Sequence, residues 1–176
     1  LQVLGRRVLL HAQAGPATRS AAPRTRVTLL RVHADAASPH APELVLAAAL
    51  PPDAAPERWQ AAVLGWQQAL ARRHFTAQLD HFAPQVGVQW ARMGLTNART
   101  RWGSCSAKGM IMLSSNLMFL PPELSYHVMC HELAHIAHMD HAEAFHAALA
   151  AMDPQAVANA HALRGAGSIL PAWAQR

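Results

Sequence analysis

In the last third of the chain, a glutamate follows the first of two histidines that are four positions apart, in the run His131-Glu132-Leu133-Ala134-His135. On an α-helix, residues four apart differ by only about 40° around the axis and about 6 Å along it, so both imidazoles can reach one ion. Glu132 lies about 100° from His131, where it can reach a water on the metal rather than the metal itself. The apolar neighbours of the motif indicate a buried helix, in which ionisable side chains need partners or a metal. The motif therefore predicts a helix that carries a metal centre.

A catalytic zinc site needs a third protein ligand and one open position, and two later histidines are candidates for that ligand. His138 lies about 10.5 Å of helical rise beyond His131, and three imidazoles along a straight helix do not converge at the zinc–nitrogen distance of about 2.0–2.1 Å. His141 converges if the chain turns back after the helix, and Asp140 suits such a turn because Asp tolerates the left-handed backbone. The expected ligands of one zinc ion per chain are therefore His131, His135 and His141.

Six histidines between residues 127 and 146 have a rival explanation, a loose histidine-rich segment that holds metal without catalysis. That explanation gives no reason for a glutamate between the ligands or for the apolar residues around them. With Glu132 as general base, we expect metal-assisted hydrolysis: the zinc activates a water and polarises a carbonyl, while Glu132 takes the proton and passes it to the leaving amine.

Composition excludes several classes of protein. With 176 residues, of which 52% are hydrophobic and 14% charged, the chain can bury a core and is not a disordered tail. No apolar run reaches the roughly 18 residues that span a bilayer, so we expect no membrane association. The net charge of +5 comes from arginines that are scattered rather than clustered, which makes nucleic acid the less favoured partner. Two cysteines without a CxxC pattern favour a reducing compartment.

The local patterns predict an α+β fold. Strand-like runs at residues 7–10, 26–32 and 44–46 make residues 1–52 a β-rich N-terminal segment of the same unit as the rest. Residues 53–176 form the main domain, which opens with a long helix from Pro56 to about Phe82.

Alternation and breakers predict the remaining elements of the main domain. Strands are expected at 85–93, 99–104 and 110–114, and helices at 121–139, from 142 to before 153, and at 155–163. The expected architecture is a small mixed or antiparallel sheet packed on the motif helix and on the long backing helix. We expect an extended substrate to pair with the strand at 110–114. Three side chains are candidates for stabilising the oxyanion, and the sequence does not rank them: Tyr126, His146 and Arg101.

A longer set of motifs surrounds the two histidines. The run RTRWGSCS at 99–106 is followed by Gly109, by LPPEL at 120–124, by HELAH, and by a histidine six residues further on. This combination resembles the YgjP-like metallopeptidases, which belong with the WLM and SprT-like zincins. The resemblance covers most of the chain and is weakest from about residue 12 to 42.

The resemblance implies a zincin-like fold, one zinc ion, a peptide or protein substrate and peptide-bond hydrolysis in the cytoplasm. It assigns the same ligands and the same base as the geometry, and so a zinc metallopeptidase of the HExxHxxxxxH type. Three stretches depart from the usual family pattern, and the first makes substrate contacts along the strand uncertain: Ser114-Ser115-Asn116 in place of Asn-Trp-Arg, Asp140-His141-Ala142 in place of Asn-His-Ser, and Phe145-His146 in place of Phe-Trp.

Two other classes of function stay open. One is a proteolytically silent or latent zinc-binding protein that keeps the zincin fold, against which the intact Glu132 argues. The other is a protease that acts on DNA-associated proteins, which would need a basic tract or a DNA-binding module, and the sequence contains neither. Of the two thiols, Cys105 is a buried packing residue or approaches the metal, and Cys130 is expected in the core.

Overall fold

A computed structural model describes residues 2–3, 6–13, 27–31, 44–49, 54–96, 98, 101–171 and 174. The chain divides into two compact units, residues 1–67 and 68–176, and the division falls inside one continuous helix. The boundary at residue 52 that the sequence predicts stays a prediction. Among the described residues, no helix combines the length and the apolar character that a membrane span requires.

The first unit contains four strands: β1 (Gln2–Val3), β2 (Arg6–Gln13), β3 (Val27–Arg31) and β4 (Leu44–Ala49). Their order in the sheet is β1-β2-β4-β3, with β2 and β4 parallel and the other pairs antiparallel. Residues 26 and 32, at the ends of the second predicted strand, lie outside the described residues.

Helix α1 (Pro56–Phe82) is the long helix that the sequence predicts, and its bounds are confirmed. Proline fits its first turn, where the missing N–H would have no helical partner, and Glu57 suits the positive end of the helix dipole. In the part of α1 that belongs to the second unit, Ala71, Phe75 and Leu79 are fully buried at intervals of four residues. This stripe is the face that the helix contributes to the core.

The strand predicted at 85–93 is wrong in its position. Pro84–Val86 form a short 3-10 helix, and Gly87 ends it in the left-handed conformation with φ of 71°. Gly87 donates its N–H to the carbonyl of Pro84, so the chain turns where the alternation of side chains predicted extension. Strand β5 begins only at Arg92 and runs to Thr96.

The second unit contains a mixed three-stranded sheet of β5, β6 (Gly103–Cys105) and β7 (Met110–Ser114), in the order β5-β7-β6. Strand β5 is parallel to β7 and β6 is antiparallel to it. Gly109 has φ of 70° in the tight turn that joins β6 to β7, a conformation that glycine adopts without strain. The strand predicted at 110–114 is confirmed, whereas residues 99 and 100 of the strand predicted at 99–104 lie outside the described residues.

Strand β7 lies in the middle of this sheet and is paired on both sides. It therefore has no free edge for an extended substrate, and the expectation that a substrate pairs with residues 110–114 is wrong. The free edge nearest the histidine motif belongs to β6, because β6 contacts the motif helix and has one paired neighbour among the described strands.

Three helices complete the second unit: α2 (Pro122–Ala137), α3 (Glu143–Met152) and α4 (Ala156–Leu163). All three were predicted from the sequence to within about two residues at each end. Helix α2 contacts α3, α4 and β6, and residues on nearly every side of it are buried. A helix that is apolar all round belongs in a core, so each of its polar side chains needs a partner or a purpose.

Candidate metal centre

Three histidine rings converge at the C-terminal end of α2. His131 Nε2 lies 3.1 Å from His135 Nε2 and 3.4 Å from His141 Nε2. One ring nitrogen from each histidine falls in a group whose members lie within 4.8 Å of one another. Two ligands at a tetrahedral zinc, each about 2.05 Å from the ion, are about 3.3 Å apart, which is close to both measured distances. The geometry thus suits one metal ion held by three imidazoles.

The third histidine reaches the group because the chain turns after α2. His138 ends the helix in an extended conformation, and two residues later Asp140 Oδ1 accepts a hydrogen bond from the N–H of Ala142 at 3.3 Å. This Asx turn directs the chain back, and His141 follows Asp140 within it. The side chain of His138 is outside the three-histidine group, as the helical geometry predicts.

The backbone of His138 has a different part in the site. Its carbonyl oxygen accepts a hydrogen bond from His135 Nδ1 at 3.1 Å. Because a carbonyl can only accept, the proton of His135 is on Nδ1, and Nε2 presents its lone pair to the other two rings. A hydrogen bond of this kind fixes the tautomer and orientation of a metal-binding histidine.

Phe145 packs behind all three rings. It is fully buried on α3, and its ring centroid lies 5.0, 4.6 and 4.7 Å from those of His131, His135 and His141. The sequence gave Phe145 no role beyond its place in the family pattern. Because His141 precedes α3, which begins at Glu143, no helical spacing relates the two residues.

Glu132 has one carboxylate oxygen without a partner. The side chain is 4% exposed, and within the described part of the chain Oε2 is buried without a hydrogen bond. Burial raises the pKa of Glu132 to about 7, against the lowering effect of the positive charge of Arg101. A buried carboxylate that lacks its hydrogen bonds destabilises a fold, so such a group indicates a functional site.

Burial and neighbouring histidine rings change the pKa of His131 as well. Burial, followed by the neighbouring rings of His135, His141, His127 and His146, lowers the pKa of His131 to about 4. The neutral form, which offers a lone pair to a metal, is therefore dominant at neutral pH.

Strand β6 lies directly against the glutamate. A Cβ atom added at Gly103 would stand 2.5 Å from Oε1 of Glu132 and 2.9 Å from its Cδ and Cγ. Any other residue at 103 would displace the carboxylate. The glycine therefore lets the edge strand approach Glu132.

The comparisons with known proteins bear on this site. The family model described as "YgjP-like, metallopeptidase domain" matches residues 12–166, which is most of the chain. The chain belongs to the YgjP-like metallopeptidases. No significant match was found among curated proteins or among solved structures. The match includes residues 12–42, where the motif-based resemblance was weakest.

Membership in the YgjP-like metallopeptidases supports a hydrolase with a metal cofactor and a peptide or protein substrate. It also gives a physical meaning to one departure from the family pattern. Asp140 stands where an asparagine is usual, and its carboxylate accepts the hydrogen bond of the Asx turn as an asparagine carbonyl would.

Of the three candidates for stabilising an oxyanion, Tyr126 is already engaged elsewhere. Its hydroxyl donates to the carbonyl of Met152 at 3.1 Å, and its ring packs edge-on against Phe82 at 4.8 Å. Burial, followed by hydrogen bonding with Cys130, raises its pKa to about 12. His146 is exposed on α3, with its ring centroid 6.5 Å from that of His141. Arg101 is exposed beside β6, close enough for its charge to lower the pKa of Glu132.

The two cysteines lie in different surroundings. Cys130 is buried in a cluster with Ala134, Phe145 and Leu149, as expected, and burial raises its pKa to about 11. Cys105 is half-buried on β6 and outside the three-histidine group. Burial and the charge of Glu132 raise the pKa of its thiol.

A fourth histidine, His127, lies one turn before the motif, and the sequence predicts no role for it. His127 Nδ1 lies 2.7 Å from Asp153 Oδ2, and both side chains are about 95% buried. Burial alone would raise the pKa of Asp153, but hydrogen bonds from Asn159, His127 and the N–H of Gln155 lower it below its ordinary value. The carboxylate is therefore ionised and accepts from Nδ1. The spacing of four residues between His127 and His131 was the signal that could have marked this residue.

Proposed function

We propose that this chain is a zinc-dependent metallopeptidase of the HExxHxxxxxH type, with a zincin-like domain in residues 53–176 and a cytoplasmic location. One observation carries the proposal: three imidazole nitrogens converge beside a buried carboxylate that lacks a hydrogen-bond partner. Zinc is the metal that a neutral donor set of three histidines suits in a hydrolytic site, with a fourth position left open. The ligands would be His131, His135 and His141.

Held by these three histidines, a metal would supply Lewis acidity and would lower the pKa of the attacking water towards 7. Glu132 takes the proton from the attacking water and returns it to the leaving amine. A general base works best when its pKa lies near the operating pH, and the value of about 7 for Glu132 meets that condition. Gly103 keeps the carboxylate in place by leaving it room, and Phe145 holds the imidazole rings from behind.

The substrate binds as an extended peptide along the free edge of β6. Backbone pairing with an edge strand orients a peptide without regard to its sequence. The contact between Gly103 and Glu132 brings that edge next to the base. Arg101 is the candidate of the three that supports the oxyanion, because its charge already reaches the carboxylate and the hydroxyl of Tyr126 is committed to a backbone carbonyl.

The metal site is tested by elemental analysis of purified wild type and of two matched variants. We expect one zinc per chain in wild type and in His138→Ala, whose contribution to the site is a backbone carbonyl, and a large loss of zinc in His141→Ala. Equal loss in both variants would contradict the proposed ligand set. Absence of zinc from wild type purified without chelators would contradict the metal centre as a whole.

The chemistry is tested by peptide hydrolysis with Glu132→Gln. Loss of a general base costs about 10²–10⁴ in rate, so cleavage should fall by that factor while zinc content stays at one per chain. Glu123→Gln, at an exposed position on the same helix, is the matched control and should cleave at the wild-type rate. Stoichiometric zinc with no cleavage of any peptide would favour the silent zinc-binding protein instead.

A further inference from the structure

A cavity of about 260 Å³ lies beside the three-histidine group and extends along α2 towards its N-terminus. Its lining includes His131 and Glu132 at one end, His127 at the other, and apolar surface from Trp102, Val128 and Leu163 between them. Sites for drug-sized ligands measure about 300–1,000 Å³, so this cavity has the size for one side chain of a larger substrate.

The polar end of the cavity is held in place by the fold. His127 is 3% exposed, and its Nδ1 is bonded to Asp153. Asp153 in turn accepts from Asn159 at 3.0 and 3.3 Å and from the N–H of Gln155 at 3.0 Å. These bonds tie the ring to the loop before α4 and to α4 itself. The orientation of the imidazole is therefore set before any ligand arrives.

The second ring nitrogen of His127 is available. Within the described part of the chain, Nε2 forms no hydrogen bond, although the ring contributes to the cavity wall. Because His127 precedes His131 by four residues, the two rings are separated by about 6 Å along the helix axis. A side chain that starts at a carbonyl beside His131 and runs along α2 would need that length to meet His127.

The chemistry of the cavity selects among side chains. A charged group would lose its hydration against the apolar wall, and the charge of Asp153 is already taken up by its own donors. An aromatic ring suits this apolar wall, to which Trp102 contributes. A hydroxyl at the end of that ring suits either form of His127, since it can donate to a bare Nε2 or accept from Nε2–H.

We propose that this cavity is a specificity pocket for a tyrosine side chain, with His127 as the group that binds the phenol hydroxyl. The proposal rests on the proposed function, because it places a peptide side chain beside the catalytic group. His127 thereby determines specificity, while Asp153 is a positioning residue that acts through it.

The first experiment compares matched peptides that carry Tyr or Phe at one position after another. For zinc-loaded wild type, kcat/KM should be about tenfold higher with Tyr at the position that enters the pocket, the effect of one hydrogen bond in a buried site. In His127→Phe the ratio should fall to about one, since the ring is replaced by one that cannot bond. The control is Ser125→Ala, on the same helix as His127 but outside the cavity lining. It removes a buried hydrogen bond to the carbonyl of Leu117 and should keep the tenfold ratio.

A second variant tests the pocket independently in case His127→Phe does not fold. Leu163→Trp fills the cavity from the α4 side and replaces neither His127 nor a residue of the Asp153 network. It should lower kcat/KM for the Tyr peptide through a higher KM, with the zinc content unchanged. An unchanged Tyr to Phe ratio in both variants would overturn the proposal, because a purely structural histidine would affect both peptides equally.

A binding experiment separates this proposal from the proposed function. The probes are 4-methylphenol and toluene, which differ by one hydroxyl, and the readout is the ring ¹H and ¹⁵N signals of His127 in metal-free wild type. About tenfold tighter binding of 4-methylphenol, with a shift of the Nε2 signal, supports the pocket even if no peptide is cleaved. Equal binding of the two probes, or no change at His127, would overturn the pocket even if peptides are cleaved.

Discussion

Helix α2 carries two histidine arrangements, and the fold treats them differently. His127 is bonded to an ionised Asp153, which has further donors of its own, so the pair is buried with its charge satisfied. One turn later, the three rings of the metal group converge on a common point, and the adjacent Glu132 has an unpartnered oxygen within the described residues. In the first arrangement Nδ1 of His127 joins helices and only Nε2 is available, whereas the second leaves Glu132 Oε2 without a partner among the described residues.

The difference shows that burial alone does not distinguish a paired side chain from an unpartnered one. His127 and Glu132 have nearly the same exposed fraction, 3% and 4%. What distinguishes them is whether hydrogen bonds accompany the burial. A satisfied polar group can stabilise a core, whereas an unsatisfied carboxylate costs stability and so indicates a functional site.

The largest expected effect concerns the packing of Phe145 against the three-histidine group. Phe145→Ala removes a fully buried ring that contacts all three histidines, and we expect it to lower the free energy of unfolding by about 3–5 kcal/mol. Urea unfolding measures this loss, with Val157→Ala as a control at a position that is 88% exposed. A loss below about 1 kcal/mol would mean that the packing around the three-histidine group does not depend on the ring of Phe145.

The satisfied pair gives the next largest effect. Asp153→Asn replaces a charge-assisted bond with a neutral one and should lower the free energy of unfolding by about 1.5–3 kcal/mol at pH 7. The pKa of Asp153 is lower in the folded state, so its stabilisation is present above the unfolded value of about 3.9 and is lost as the pH falls through the folded value.

Urea unfolding at a series of pH values tests this behaviour. The difference between wild type and Asp153→Asn should shrink below about pH 4, where the carboxylate becomes protonated in the unfolded chain before it does in the folded protein. The exposed Asp80→Asn is the matched control and should show no such convergence. A constant difference at all pH values would show that the charge of Asp153 contributes nothing to the pair.

The unpartnered carboxylate of Glu132 should show the opposite dependence of stability on pH. Glu132→Gln removes a buried charge, so the metal-free variant should be more stable than wild type by about 1–3 kcal/mol at pH 8. The folded pKa of about 7 lies above the unfolded value, so wild type loses stability as the pH rises from about 4.5 through 7. The gain should therefore vanish towards pH 4. Calorimetric melting at both pH values measures it, and a variant less stable at pH 8 would refute the comparison.

The smallest expected effect concerns the positive charge of Arg101 near Glu132. Arg101→Gln removes the positive charge that lowers the pKa of Glu132, so this pKa should rise further above about 7. Arg101 is exposed and its charge is screened by water and salt, so the change should be modest. Carboxyl NMR titration of the metal-free protein measures the shift, with the exposed Arg164→Gln as a control that should leave it unchanged.

Local pattern predicted the elements well where strong signals exist. The helix at Pro56 follows from a proline and an acidic residue at its start and from apolar residues at helical spacing, and α2 follows in the same way from Pro122 and Glu123. The strand predicted at 85–93 failed because the side chains alternate but the backbone at Gly87 turns left-handed, a choice that side-chain hydrophobicity does not record.

The sequence by itself determined the spacing of His131, Glu132 and His135 on one helix, because helical periodicity is a local property of the chain. It also favoured His141 over His138 by the same geometry. Only the tertiary structure decided the contact of Gly103 with Glu132, the ring of Phe145 behind the metal group and the pairing of His127 with Asp153. Each of these joins separate elements, so it depends on how helices and strands pack rather than on any periodicity within one of them.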